Sequence, residues 1–96
     1  MITSFGDKAT ENLYHGLASK ETRKYPNDLI KIAVRKLDML NGTQDLKDLR
    51  SPPGNQLEAL KGNLKGFFSI RVNSQWRIIF KWESRQAKDV KLTDYH

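Results

Sequence analysis

The sequence predicts an α+β domain in which two helices pack on a small antiparallel sheet. In the first half of the chain, apolar residues recur at spacings of three and four, which is the period of a helix with one buried face. In the second half they alternate every second residue, as in strands with one buried face. The proline-containing segment 51–55 separates these two patterns. We expect residues 1–96 to form one domain, because no repeat or linker divides them.

The first half is predicted to open with a short β-prone segment at residues 1–5, followed by a helix near residues 8–17. Asp7 is placed to cap this helix, because its carboxylate can accept hydrogen bonds from unpaired backbone N–H groups. The helix is predicted to bury Leu13 and Leu17. We therefore expect the first helix to cover one part of the sheet.

The second helix is the clearest element of the sequence. It begins after Pro26 and ends at Asn41-Gly42, where glycine favours a helix stop. The polar residues 19–25 before it either extend the first helix or form a connector, and both possibilities stay open. The apolar face of the second helix is predicted to consist of Leu29, Ile30, Ala33, Val34, Leu37 and Leu40.

Three strands are predicted in the second half, at residues 68–72, 75–82 and 87–93. Short polar turns near residues 73–74 and 84–86 connect them as hairpins. At strand spacing, core packing is a better interpretation of the aromatic residues than stacking on nucleic-acid bases. These aromatic residues are Phe68, Trp76, Phe80 and Trp82.

The composition limits the classes of function. The net charge is +6, and residues 49–96 hold nine Lys or Arg against four Asp or Glu, which favours a phosphate-bearing partner. The absence of cysteine excludes a disulfide framework, and with two histidines we expect no metal and no cofactor. No apolar run reaches membrane-spanning length and no signal-peptide core is evident, so we expect a cytoplasmic protein without a membrane partner.

The last three residues carry side chains that exchange or position protons. His96 is the first candidate for a general acid or base, because the ordinary pKa of an imidazole is about 6.5. Asp94 is able to orient His96, act as a base or cap the strand end, and an i, i+2 spacing places the two on one face. Tyr95 would point the other way, where it either fills the core or contacts a base or phosphate. In a basic protein this combination suggests chemistry on a polyanion.

Arg77 is the strongest candidate for a phosphate ligand. It lies in the middle of a predicted strand between Trp76 and Ile78, where a buried guanidinium needs an anionic partner. Asp94 or a substrate phosphate would satisfy that need, and a purely structural ion pair is compatible with both. Further candidates for binding RNA or phosphate are Lys61, Lys65 and Arg71. The small basic cluster at Lys20, Arg23 and Lys24 is either a contact for RNA or a solvated surface.

Residues 57–80 (LEALKGNLKGFFSIRVNSQWRIIF), together with the terminal Asp94-Tyr95-His96, resemble the HigB toxins. These form the plasmid maintenance killer branch of the RelE/ParE superfamily, and the likeness extends over nearly the whole chain. The resemblance implies a RelE-like fold and a metal-independent endonuclease that cuts translated mRNA in the ribosomal A site. It also implies a cognate helix-turn-helix antitoxin, HigA-like, which makes a hetero-oligomer with a toxin that is monomeric alone.

Cleavage of this kind needs a base for the ribose 2′-OH, an acid for the departing 5′-oxygen and cations for the charge that builds on phosphorus. By resemblance, the catalytic set is His96, Asp94, Arg77, Glu58 and Tyr95. Some HigB toxins have a histidine at the position of Glu58. A glutamate, with its usual pKa of about 4.3, is a poor acid at neutral pH. We therefore predict slower cleavage than in relatives that carry the histidine.

Two other functions stay open at this point. ParE-type relatives share the fold but act on DNA gyrase, and such a toxin would not need the terminal Asp-Tyr-His. A non-catalytic basic module would bind RNA with a steep salt dependence and produce no cleavage products.

Overall fold

The computed structural model describes residues 1–94. Two α-helices, α1 (Lys8–Tyr14) and α2 (Asn27–Gly42), precede four strands. The strands are β1 (Glu58–Ala59), β2 (Phe67–Arg71), β3 (Trp76–Glu83) and β4 (Gln86–Asp94). Short 3-10 turns occupy Glu21–Lys24, Leu46–Arg50, Pro53–Asn55 and Gly62–Leu64. The predicted α+β class is therefore confirmed.

Helix α1 begins where the sequence predicts but ends earlier. The Asp7 carboxylate caps it by accepting a hydrogen bond from the backbone N–H of Thr10 at 2.8 Å. The helix ends at Tyr14, and Gly16 follows with φ +72°, a conformation that glycine adopts without strain. The chain therefore leaves the helix before Leu17, whose exposure is 57%. The prediction that Leu17 is buried was wrong, whereas Leu13 is buried as predicted.

Helix α2 confirms the predicted apolar face. Its buried residues are Leu29, Ala33, Leu37 and Leu40, with Ile30 and Val34 packed at the margin of the core. The connector before the helix contains the 3-10 turn Glu21–Lys24 and does not extend α1. At the other end, Thr43 donates from its hydroxyl to the Met39 carbonyl at 2.8 Å, which satisfies one of the last helical oxygens.

The strands form an antiparallel sheet in the order β1-β2-β3-β4. The turn between β2 and β3 is held by the Asn73 side chain, which accepts hydrogen bonds from the N–H groups of Gln75 and Trp76. Ser84 and Arg85 both have positive φ and form the tight turn between β3 and β4. A bulge in β4 at Asp89, with φ +52°, shifts the pairing with β3.

The N-terminal residues lie beside β4 and cover part of that sheet edge. Ile2 pairs with Ala87 and Phe5 with Val90, both in parallel bridges, so the predicted β-prone segment makes isolated bridges and no continuous strand. At Gly6 a Cβ atom would stand 2.9 Å from the Asp89 carbonyl oxygen, which explains the glycine at this close crossing. The segment shields backbone groups of β4 that would otherwise be unpaired.

One face of the sheet packs against the helices, and we call the opposite face the open face. Ile70, Ile78, Phe80 and Leu92 are fully buried on the helix-bearing face. Trp76 packs there against Tyr25, with ring centroids 5.5 Å apart. The prediction that the strand aromatics Phe68, Trp76, Phe80 and Trp82 pack in or against the core is confirmed. Within residues 1–94, no helix is long and apolar enough to cross a bilayer.

Candidate active site on the open face of the sheet

Arg77 is buried on the open face, and backbone and side-chain oxygens hold its guanidinium in place. The residue is 7% exposed. Its Nε donates to Ser69 Oγ at 2.8 Å, and its Nη2 donates to the Gln56 carbonyl at 2.6 Å and to the Ser69 carbonyl at 3.4 Å. A guanidinium fixed along one edge keeps its orientation when a ligand arrives.

Glu58 supplies a carboxylate to the same guanidinium. β1 places Glu58 opposite Ser69, and its Oε1 lies 3.9 Å from Arg77 Nη1. The Glu58 side chain is 53% exposed, so the pair opens to solvent on the carboxylate side. The structure thus brings two predicted catalytic residues together. Glu58 is thus an anionic partner of the kind that the strand position of Arg77 requires.

The Gln56 carbonyl reaches Arg77 because a buried asparagine anchors the preceding loop. Asn55 is fully buried and donates from Nδ2 to the carbonyls of Leu49 at 3.1 Å and Ser51 at 3.3 Å. Its Oδ1 accepts from Lys36 Nζ of α2 at 2.5 Å. Gln56 itself has φ +44°, which turns the chain toward β1. Sequence reasoning missed Asn55, Gln56 and Ser69 as supports of the site.

The strand pattern around Ser69 is the one indication in the sequence that this residue supports the site. Ser69 alternates with Phe68 and Ile70 in β2, so its side chain had to face away from the core. A serine that is fully buried on that face needs a hydrogen-bond partner, and Arg77 provides it. Gln56 had no comparable signal, because its backbone carbonyl makes the contact.

Asp94 lies at the end of β4, where its Oδ2 accepts a hydrogen bond from Gln75 Nε2 at 3.0 Å. In the strand register Asp94 pairs with Trp76, whereas Thr93 pairs with Arg77. Paired residues project from the same face of a sheet, so Asp94 starts from the helix-bearing face and Arg77 from the open face. Tyr95 and His96 lie outside the described residues, and the roles assigned to them stay predictions.

The other predicted phosphate ligands divide into two groups. Arg71 is the cross-strand partner of Arg77, so two guanidinium-bearing residues stand side by side on the open face. Like charges in this arrangement repel each other, and a bound anion relieves the repulsion. Lys61 and Lys65 are exposed and flank the turn Gly62–Leu64 between β1 and β2. The structure thus places Arg71 beside Arg77 and the two lysines on the adjoining loop.

Three lysines that the sequence reasoning did not single out extend this positive surface. Lys91 pairs with Ile79, and Lys88 pairs with Lys81, so Lys81, Lys88 and Lys91 belong to the same face as Arg77. Lys81 Nζ lies 3.6 Å from Asp89 Oδ2, and Lys88 Nζ lies 3.2 Å from Glu83 Oε2. These two ion pairs offset part of the positive charge of the open face. Within residues 1–94, no group of three or more His, Asp or Glu side chains is placed to hold a metal ion.

Solved structures share the fold described above, which defines its class. The YoeB–YefM complex from Staphylococcus aureus contains a chain that superposes with a TM-score of 0.55 at 20% identity, covering 100% of this chain and 98% of that one. The YoeB/ParE toxin from Agrobacterium tumefaciens superposes with a TM-score of 0.54 at 14% identity, covering 99% and 100%. These likenesses support the predicted RelE-like fold.

Sequence similarity then identifies the family. Residues 3–96 match the family described as RelE-like toxin of type II toxin-antitoxin system HigB. Toxin HigB-1 of Vibrio cholerae is 46% identical over 92 residues, covering 96% of this chain and 95% of that protein. An uncharacterized protein of Haemophilus influenzae is 44% identical over 69 residues, covering 72% and 68%. The chain belongs to the HigB-like family of toxins, and the predicted resemblance is confirmed.

Proposed function

We propose that this toxin is an endoribonuclease that cleaves translated mRNA in the ribosomal A site, through attack of the ribose 2′-OH and without a metal ion. Membership in the RelE-like HigB family supports endoribonuclease activity in general. The observation that carries the proposal is the buried Arg77 guanidinium, which is oriented by Ser69 and Gln56 and lies 3.9 Å from the half-exposed Glu58 carboxylate.

Arg77 is suited to stabilise the charge that develops on the scissile phosphate. Its Nε and Nη2 are engaged by the protein, while its Nη1 is directed at the exposed Glu58 carboxylate. A phosphate oxygen that takes the place of Glu58 Oε1 would meet an oriented donor without reorganising the site. Arg71, on the neighbouring strand, adds a second positive charge.

Proton transfer is assigned to the remaining predicted residues. We propose that His96 protonates the departing 5′-oxygen, that Asp94 orients His96, and that Glu58, which lies beside Arg77, accepts the proton of the 2′-OH. Tyr95 is proposed to contact the substrate base or phosphate. Because the 2′-OH is the nucleophile, the enzyme spares DNA.

Dependence on the ribosome has a physical reason in this proposal. With Glu58 in place of the histidine of some relatives, the site has few groups that donate a proton at neutral pH. The ribosome compensates by holding the mRNA backbone near the in-line geometry that 2′-OH attack requires. We therefore expect slow or absent cleavage of free RNA.

A dedicated antitoxin is the expected partner, because the family belongs to toxin–antitoxin systems. We propose that it is a HigA-like protein with a helix-turn-helix domain and that it forms a hetero-oligomer with this toxin. The toxin alone is proposed to be a monomer that acts in the cytoplasm, where translating ribosomes are found.

The test is primer extension on an mRNA in a purified translation system, comparing wild type with His96→Ala, Arg77→Ala and Arg77→Lys. We expect ribosome-dependent cuts by the wild type and none by either alanine variant. Arg77→Lys should cut only weakly, because an ammonium cannot make the contacts of Nε, Nη2 and Nη1 at the same time. Lys8→Ala is the matched control, since Lys8 is an exposed cation on α1. Circular dichroism verifies that each variant is folded.

Two results would contradict the proposed nuclease function. Growth arrest by folded protein without new RNA ends, and with toxicity retained after deletion of residues 94–96, would indicate a protein target such as gyrase. Salt-dependent RNA binding without cleavage would indicate a basic binding module.

A further inference from the structure

Phe67 differs from the other aromatic residues of strands β2 and β3. Phe68, Trp76, Phe80 and Trp82 belong to the core or pack against it. Phe67 pairs across the sheet with Lys81 and alternates with Phe68, so its ring projects from the open face. The residue is half-buried, which leaves part of the ring accessible. Phe67 is therefore the aromatic residue of β2 and β3 that projects from the face carrying Arg77 and Lys81.

Phe67 lies close to Arg77 on this face. Ser69 follows two residues later on the same face, about 7 Å along the strand. Arg77 Nε donates to Ser69 Oγ at 2.8 Å, so this atom of the guanidinium lies beside the side chain that neighbours Phe67 on the open face. A single ribose bridges a comparable separation between a phosphate and a base. A nucleotide with its phosphate at Arg77 can therefore place a base against Phe67.

The Lys81 ammonium lies over the accessible side of the Phe67 ring. Its Nζ lies 5.2 Å from the centroid of Phe67 and 3.6 Å from Asp89 Oδ2. An incoming base would displace the ammonium from the ring, and the lysine is then near enough to contact the RNA backbone. Aromatic rings set among cations that follow the backbone are the usual arrangement in single-strand binding surfaces.

We propose that Phe67 and Lys81 form a nucleobase-stacking subsite next to the phosphate site at Arg77. The inference rests on the proposed endoribonuclease function and adds a substrate contact to it. Stacking uses the face of a base, which all bases share, so the subsite holds the nucleotide in place and contributes little to the choice of base. Phe67 is thus a positioning residue that limits rotation of the nucleotide about Arg77.

The first test is single-turnover cleavage on stalled ribosomes with Phe67→Leu, Phe67→Tyr and Phe67→Trp. At saturating toxin we expect Phe67→Leu to lower the rate constant about tenfold, with the half-saturating concentration changed by less than about threefold. Tyr and Trp should retain the rate, because both present a stacking face. A purely structural role would instead reduce the fraction of folded toxin and shift the half-saturating concentration.

Tyr14→Leu serves as the matched control, since Tyr14 is a half-buried aromatic residue on α1. Cleavage by wild type establishes the proposed function separately, so a failure of the subsite is distinguishable from a failure of the function. A wild-type rate for Phe67→Leu, or the same loss for Tyr14→Leu, would overturn the subsite.

The second test removes the base and keeps the backbone. An abasic nucleotide is placed in turn at each position of the A-site codon. At the stacked position we expect the wild-type rate to fall by about the same factor as in Phe67→Leu, and the combination to lose no more than either change alone. Additive losses at every position would contradict a contact between Phe67 and a base.

Discussion

Ser69 Oγ accepts a hydrogen bond from Arg77 Nε at 2.8 Å, and the serine is fully buried beneath the guanidinium. The two residues occupy adjacent strands, so the rigidity of the sheet determines where the guanidinium can lie. Together with the Gln56 carbonyl at 2.6 Å from Nη2, this contact orients the guanidinium so that Nη1 lies 3.9 Å from Glu58 Oε1. In the proposed mechanism, Arg77 is therefore positioned for the phosphate by a residue that does not touch the phosphate.

Ser69→Ala is expected to lower the single-turnover rate of cleavage about tenfold, because the guanidinium loses an acceptor that orients it. In an Arg77→Ala background the same change should cost nothing further, since the two residues act as one unit. Ser74→Ala, at an exposed turn position, is the control. An unchanged rate in the single variant would show that Ser69 does not position Arg77.

Glu58→His is expected to accelerate cleavage about tenfold, because it removes a carboxylate from the phosphate side of Arg77 and adds a group that donates a proton near neutral pH. Glu58→Gln removes the carboxylate and supplies no other proton acceptor, since an amide, unlike an imidazole, takes up no proton near neutral pH, and we expect roughly a tenfold loss. Single-turnover assays on ribosomes measure both. A rate for Glu58→His at or below that of wild type would count against the hypothesis.

Asn55→Ala is expected to lower the free energy of unfolding by about 2–4 kcal/mol, because it leaves buried carbonyls and the Lys36 ammonium without a partner. Cleavage should also fall in the folded fraction, since the loop that carries the Gln56 carbonyl loses its anchor. Urea unfolding measures the first effect, with Asn63→Ala at an exposed position as the control. A stability equal to that of wild type would contradict the anchoring role.

Tyr25→Phe is expected to reduce the loss of stability at alkaline pH. Burial raises the pKa of the Tyr25 phenol above its ordinary value near 10. The unfolded chain therefore ionises first, and this contribution to stability is complete below about pH 10 and is lost as the pH rises toward the folded pKa. Urea unfolding between pH 7 and 11 compares the two proteins, and coincident pH dependences would refute the assignment.

The same substitution should have little effect at neutral pH. Within residues 1–94, no atom lies within hydrogen-bond geometry of the buried Tyr25 hydroxyl. Removal of the hydroxyl is therefore expected to change the free energy of unfolding by less than about 1 kcal/mol. A larger loss at pH 7 would indicate that the hydroxyl is hydrogen-bonded.

The sequence by itself determined the class of fold, helix α2 and strands β2 to β4. The spacing of Leu29, Ala33 and Leu37 defines one buried helical face, and the Asp7 cap follows from a local contact over three residues. The alternation in β2 and β3 separates core from open face for the same reason, because the pleat has a period of two. The predicted family was identified from residues 57–80 and the terminal Asp94-Tyr95-His96, whose order and spacing are read directly along the chain.

Only the tertiary structure decided which residues meet at Arg77. The contact with Glu58 depends on how β1 docks on β2, and the contact with Gln56 depends on a loop anchored by Asn55 to helix α2. Asp94, which the sequence placed as a possible partner of Arg77, is paired with Trp76 and starts from the opposite face. Strand register and loop docking arise from contacts between distant segments, and a local pattern of residue types carries no record of them.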